Sequence, residues 1–192
     1  MSKTAITAAP ILPVIAERWS PRAFDENYEI SKHDLLSILE AGRWAASANN
    51  GQPWRFSVGV KGDALFDQIL GAFLNFNQAW GARASALIVI SVKNQKEDGS
   101  PYPIAVFDAG LAAQNMMIQT TELGLQAHPI SGIDVAAMHK VLDLPEDLTV
   151  LAALVVGKRA DAKVLEGTPA YERELQTRVR HDLDDIVLHG KP

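Results

Sequence analysis

The sequence predicts an α+β sandwich, because its helices and strands alternate without the strict βαβ order that builds a doubly wound parallel sheet. Three observations lead there. Residues 86–92 and 149–157 are short apolar runs with β-branched side chains, as expected of strands buried on both faces. Residues 104–123 show helical periodicity, with Ala109, Ala112, Ala113, Met116, Met117 and Thr120 on one face, and such small side chains suit a closely packed, central helix. No repeat or low-complexity linker divides the 192 residues, a length that suits a single domain, 1–192, or one subunit of an interlocked dimer.

In chain order, Ser31-Lys32-His33-Asp34 resembles a capping box, and Leu35, Leu36, Ile38, Leu39 and Ala41 then recur at helical spacing to about Arg43. Residues 54–60 alternate as a strand, and residues 63–74 read as a second amphipathic helix. A polar loop follows the 86–92 strand over residues 93–103, with Asp98-Gly99-Ser100-Pro101 as its turn. Gly124 suits the position just past the end of the long helix. A short strand from Leu125 leads into Pro129-Ile130-Ser131-Gly132, and Asp134 is placed to cap a further helix. Thr168-Pro169 reads as an N-cap with proline at the first helical position, opening a charged C-terminal helix.

Composition removes several classes of function. A net charge of −5 lacks the basic excess of a general nucleic-acid binder. With no cysteine there is no disulfide, thiolate nucleophile or Cys-ligated metal. No apolar run approaches the roughly 20 residues that span a bilayer, and the N-terminus lacks the apolar core of a signal peptide, so a cytoplasmic protein with no membrane partner is expected. Neither GxGxxG nor GxxxxGK[ST] occurs, and Ser131 lacks the flanks of a nucleophile elbow. His33, His128, His139, His181 and His189 show no metal spacing and read as surface or helix-end residues.

Two segments carry chemistry together. Arg18-Trp19-Ser20-Pro21-Arg22 places two guanidinium groups and a hydroxyl within five residues, which suits a phosphate-bearing ligand. Ala45-Ala46-Ser47-Ala48-Asn49-Asn50-Gly51-Gln52-Pro53-Trp54 is a run of small and amide residues, where backbone can approach a flat polar ligand and amides can bond its edge. Arg178 and Arg180 add two more cations near the C-terminus. Trp44, Trp54 and Trp80 read as core or interface packing.

The spacing Arg18-x-Ser20-x-Arg22-x-Phe24 resembles the opening of the nitroreductase family of flavoenzymes. Residues 45–54 are similar to that family's Ala-Pro-Ser-Ser-x-Asn-x-Gln-Pro-Trp segment. Asn77 before Trp80, Pro129-Ile130-Ser131-Gly132 and Arg178-Val179-Arg180 resemble three further blocks, in the family's order. The resemblance implies an α+β sandwich with a central, mostly antiparallel mixed sheet flanked by helices, in an interwoven homodimer with FMN at the subunit interface. Arg18, Trp19, Ser20, Arg22, Asn77, Pro129, Ser131, Gly132, Arg178 and Arg180 would bind the cofactor from one subunit, and Ala46, Ser47, Ala48 and Asn50 from the other. Gln52 is placed to support that loop. Ala46 and Ala48 depart from the family's Pro and Ser, and Ser131 stands where many relatives carry an acid.

The implied chemistry is ping-pong hydride transfer from NADH or NADPH through flavin N5 to an electron-poor acceptor: a nitroaromatic, a quinone or an activated alkene. The flavin carries the chemistry, so no side chain is assigned as catalytic and no metal is needed. Arg22 would stabilise negative charge developing at the pyrimidine edge on reduction. The alternatives are an oxidase or dehydrogenase acting on a particular metabolite, and a flavin-storage or sensor module without turnover.

Overall fold

The computed structural model describes residues 3–190. Short helix α1 (Pro13–Glu17) is followed by α2 (Lys32–Arg43), β1 (Trp54–Val60), α3 (Ala64–Gly71), α4 (Asn75–Gly81), β2 (Ala86–Lys93) and α5 (Ala105–Glu122). The remaining elements are β3 (Gln126–Ile130), α6 (Val135–Val141), β4 (Leu148–Gly157), α7 (Pro169–Leu175) and α8 (Leu183–Ile186). Among the described residues four strands pair antiparallel throughout in the order β1-β2-β4-β3, so β1 and β3 are the edges.

Alternation along the central strands builds two cores. Leu87 and Val89 of β2, with Ala153 and Val155 of β4, face a layer containing Phe66, Ile69, Phe73, Trp80 and Met138 from α3, α4, α6 and the turn before α4. Ala86, Ile88, Ile90 and Val92, with Leu154 and Val156, face Ile38 of α2 and Ala105, Ala109, Met116 and Met117 of α5. Burying each large aliphatic side chain contributes roughly 1.5–3 kcal/mol, so β2 is the most heavily anchored strand. The expected sandwich is observed, with helices on both faces.

Local signals operate as the residue types dictate. Ser31 accepts the Asp34 N–H at 3.0 Å and starts α2, and Asp134 accepts the Ala137 N–H at 2.9 Å and starts α6. Thr168 precedes Pro169 at the start of α7, but its hydroxyl bonds Leu165 O at 2.7 Å rather than capping the helix.

The helix expected over 63–74 ends three residues early, at Gly71, and after a break a second helix, α4, begins at Asn75. At the break, Phe73 bridges Ile133, Leu74 N–H donates to Gly132 O at 3.0 Å, and Asp134 N–H donates to Ala72 O at 2.8 Å. Those backbone groups are engaged by the segment after β3, so helix cannot run through them. The C-terminal helix that opens at Pro169 ends at Leu175, which leaves Arg178 and Arg180 in irregular chain.

The α2–α5 contact is close enough to constrain a glycine. A Cβ on Gly42 would lie 2.8 Å from Met116 Cγ and 3.2 Å from Phe56 Cζ. Gly42→Ala should therefore destabilise the protein by about 1 kcal/mol, overpacking outweighing the gain in helix propensity. Gly71→Ala, whose Cβ would meet nothing within 4 Å, should stabilise it by about 0.5 kcal/mol. Urea midpoints that shifted the same way for both would refute this packing argument.

Candidate functional site

The segment between α1 and α2 is an irregular strap, and it carries Arg18, Trp19, Ser20 and Arg22 of the expected cofactor-binding residues. Arg18 ends α1 half-buried, with a guanidinium nitrogen 3.3 Å from Ser20 Oγ. Trp19 is buried between two cations, Lys3 Nζ at 4.6 Å and the Arg159 guanidinium at 5.2 Å from its ring. Arg178 reaches across from the C-terminal chain to donate to Lys3 O and Ala16 O, and Arg180 donates to its neighbour's carbonyl, Val179 O. Burial first, then the charges of Arg178 and Arg180, lower the pKa of Arg18; burial and Arg180 do the same to Arg178. None of the ion pairs among the described residues uses these three arginines. Such a group of mutually repelling guanidinium ions favours an anion between them.

Arg22 continues the same surface. Its guanidinium lies 5.9 Å from the Trp80 ring and 6.0 Å from Phe76, and its buried Nε–H has no hydrogen-bond partner among the described residues. Asn77, on the same helix as both rings, donates from Nδ2 to Gly132 O at 3.0 Å. A Cβ on Gly132 would fall 2.3 Å from that Nδ2, so only glycine allows the approach. Pro129 and Ser131 are exposed beside it. The structure thus groups Arg18 and Ser20 with Arg178 and Arg180, and sets Arg22 against the helix whose Asn77 meets Gly132.

Ala46, Ser47, Ala48 and Asn50 lie elsewhere. Their loop feeds β1 at one edge of the sheet, whereas Pro129, Ser131 and Gly132 lie on or just beyond β3 at the other edge. Three strand spacings, about 14 Å, separate the two edges. The loop is conformationally costly: Asn49, Asn50 and Gln52 have φ of 51°, 56° and 44°, in the left-handed region. Ser47 Oγ accepts the Gln52 N–H at 3.1 Å, and Gln52 Nε2 donates to Asn50 O at 3.1 Å. The loop borders a cleft of about 610 Å³ that also includes Arg55, Lys93 and Tyr102.

Two buried groups absent from the sequence reading hold this loop. The Asp108 carboxyl group, 2% exposed at the start of α5, accepts the Ala48 N–H at 3.2 Å. The Tyr102 hydroxyl lies 2.8 Å from Asp108 Oδ2 and 3.0 Å from Ala48 O, and its one proton serves either acceptor in turn. Burial first, then the Asp108 hydrogen bond and charge, raises the Tyr102 pKa to about 12. A Cβ on Gly51 would strike the Tyr102 ring, so the tyrosine also shapes the turn.

Two further buried groups hold the strap. His128, expected at the surface, is instead buried on β3, with Nδ1 2.9 Å from Pro21 O and its ring 4.7 Å from Trp80. Glu174, 3% exposed on α7, accepts the Arg22 N–H at 2.7 Å. Single residues in polar or mixed surroundings offer no periodic signal, which is why sequence reasoning passed over them. Of the tryptophans, Trp54 and Trp80 are core as expected, whereas Trp44 is 73% exposed in the single chain, its Nε1–H bonded to Glu40 Oε1 at 2.8 Å.

Among the described residues no group of three or more His, Asp or Glu is placed to hold a metal, and no helix is long and apolar enough to cross a membrane.

Residues 15–158 match the family model described as Nitroreductase family. An Archaeoglobus fulgidus protein provisionally named NADH dehydrogenase/NAD(P)H nitroreductase is 28% identical over 156 residues, which are 79% of this chain and 87% of that one. Among solved structures, an oxidoreductase containing FMN is similar with a TM-score of 0.90 and 33% identity, over 100% of this chain and 97% of that one. A Desulfovibrio desulfuricans protein, provisionally described as a nitroreductase and solved with FMN, gives 0.76 and 25%, over 96% and 99% of the two chains.

Two outcomes are expected. Tyr102→Phe removes the hydroxyl from a buried network and should cost about 1–2 kcal/mol in urea unfolding; an unchanged midpoint would remove the network's role. Burial first, then the charges of Arg22 and Arg18, hold the His128 pKa down to about 4 against the Pro21 hydrogen bond. Between about pH 6.5 and 4 the unfolded chain therefore binds the proton and the folded chain does not. Stability should fall by roughly 3 kcal/mol as pH drops through that window. His128→Asn should lack this component, and an identical pH profile in the variant would contradict it.

Proposed function

The chain belongs to the nitroreductase family, and from that premise we propose that it is an FMN-dependent oxidoreductase. It takes hydride from NADH or NADPH in ping-pong turnover and reduces an electron-poor acceptor such as a nitroaromatic, a quinone or an activated alkene. The observation that carries the reading is the convergence of Arg18, Arg178 and Arg180, with none of the ion pairs among the described residues to neutralise them. A terminal phosphate fits there, with Ser20 supplying a hydroxyl beside Arg18. The orphaned Nε–H of Arg22 is a second point of fit, a buried donor aimed at no acceptor among the described residues.

On this reading Arg18, Ser20, Arg178 and Arg180 bind the phosphate end, with Trp19 packed behind them. Arg22 and Asn77 address the pyrimidine edge, and Pro129, Ser131 and Gly132 line the ring. FMN, when bound, would supply the redox chemistry, hydride transfer between the nicotinamide and the acceptor. Arg22 contributes positive charge at the edge where negative charge develops. Asn77 is oriented by its bond to Gly132 O, which leaves its side-chain oxygen as an acceptor for a ring N–H.

The separation of the two groups of residues across the sheet favours a homodimer. In it, Ala46, Ser47, Ala48 and Asn50 of a second copy complete the site begun by the strap. Apolar side chains exposed on α2 and α5, Leu36 at 55%, Trp44 at 73%, Val106 at 59% and Phe107 at 67%, are suited to burial in such an interface.

The test is a visible spectrum of the purified protein, taken anaerobically before and after NADH and then NADPH. Flavin bands that bleach with either nucleotide are expected; bands that persist would favour flavin storage, and no flavin after incubation with FMN would end the reading. Arg18→Ala and Arg180→Ala should each weaken FMN binding roughly 10–100-fold, about 1.5–3 kcal/mol for a charge-assisted contact. Undiminished retention in both would remove the phosphate assignment.

A further inference from the structure

His128 is the buried ionisable ring that the proposed flavin site does not use. It completes an aromatic column in which Phe24 stacks on Trp80 at 6.2 Å and Trp80 packs on His128 at 4.7 Å. It meets the strap through Nδ1, 2.9 Å from Pro21 O. A carbonyl oxygen only accepts, so this contact requires the proton on Nδ1 and fixes both the tautomer and the plane of the ring.

The next residue is held from a different element. Arg22 N–H donates to Glu174 Oε2 of α7 at 2.7 Å, so consecutive residues of the strap are fastened by β3 and by α7. Farther along, Asp25 N–H donates to Lys158 O and Ala160 N–H to Ala23 O. Toward Arg18 the strap has no strand partner among the described residues, and the His128 bond, at Pro21, lies between Arg18 and Arg22. Guanidinium contacts to an anion are sensitive to placement at the scale of about 0.5 Å, which irregular chain does not maintain by itself.

We propose that His128 is a positioning residue for the arginine strap: its Nδ1–H bond to the Pro21 carbonyl sets the backbone from which Arg18 and Arg22 reach the cofactor. The ligand in this statement rests on the FMN reading above, whereas the fastening of the strap belongs to the free protein. A residue that merely fills the core would act through its ring. A positioning residue acts through its donor.

Two variants separate these roles. His128→Phe keeps a ring against Trp80 and loses the donor; His128→Asn loses the ring and keeps an N–H near the Nδ1 position. The first readout needs no cofactor: limited trypsin digestion of the FMN-free protein, with cleavage after Arg18 and Arg22 followed by mass spectrometry. Trp19 is buried and Ala23 fully so, so cutting at either bond reports opening of the strap. The second readout is the FMN dissociation constant from flavin fluorescence.

His128→Phe should be cut in the strap about tenfold faster than the parent and should bind FMN about tenfold more weakly. His128→Asn should stay within about threefold of the parent in both. A phenylalanine variant that matches the parent, or an asparagine variant as impaired as the phenylalanine one, overturns the proposal. Should the parent bind no FMN, the flavin reading fails while the trypsin contrast still decides the role of His128. If the phenylalanine variant does not fold, nitrogen-15 NMR of the parent decides instead: a protonated Nδ1 supports the proposal and an Nε2–H tautomer overturns it.

Discussion

Burial of β2 on both faces is the constraint from which the rest of the architecture follows. Ala86, Leu87, Ile88 and Val89 are each 0% exposed, so both faces of this strand require helical cover. The α2–α5 pair supplies one layer and the α3, α4 and α6 group the other. With β4 beside it, β2 occupies the interior of the sheet and leaves β1 and β3 as edges. Two irregular segments that carry chemistry are attached at those edges, the 45–53 loop at β1 and the 131–133 segment at β3. Their separation in one chain is thus a consequence of how the core is built.

The same physical device stabilises the 45–53 loop and the strap between α1 and α2. Backbone groups that no helix or strand satisfies are bonded by buried side chains from distant elements. In the 45–53 loop these are Asp108 and Tyr102, on the Ala48 N–H and carbonyl. In the strap they are His128 and Glu174, on the Pro21 carbonyl and the Arg22 N–H. Each buried polar side chain would destabilise the fold if left unpaired, so its pairing fixes the loop while relieving that penalty. Rigid irregular backbone of this kind is what the proposed cofactor site requires, because the ligand-facing groups include main-chain atoms and short side chains.

Much of the fold was legible because the dominant signals are periodic. Residues 86–92 and 149–157 announced buried strands, and the spacing of apolar residues in α2 and α5 announced helices against them. The break between α3 and α4 was not legible. It arises because Phe73 and Leu74 spend their backbone groups on Gly132 and Ile133, some sixty residues away in sequence. Arg18, Ser20 and Arg22 were noticed through their residue types and spacing, and Asn77 through the family resemblance. His128, Glu174, Asp108 and Tyr102 were not, since each acts alone and its significance lies in which backbone atom it meets.

By itself the sequence determined the α+β class, the principal strands and helices, the arginine-rich opening and the family resemblance, all of which depend on local pattern. Only the tertiary structure decided that Arg18, Arg178 and Arg180 share one region, that the 46–50 loop lies across the sheet from them, and that buried side chains hold both segments. The physical reason is range. Periodicity and capping act over a few residues, whereas a guanidinium cluster or a side chain bonded to a distant carbonyl exists only once the chain has folded back on itself.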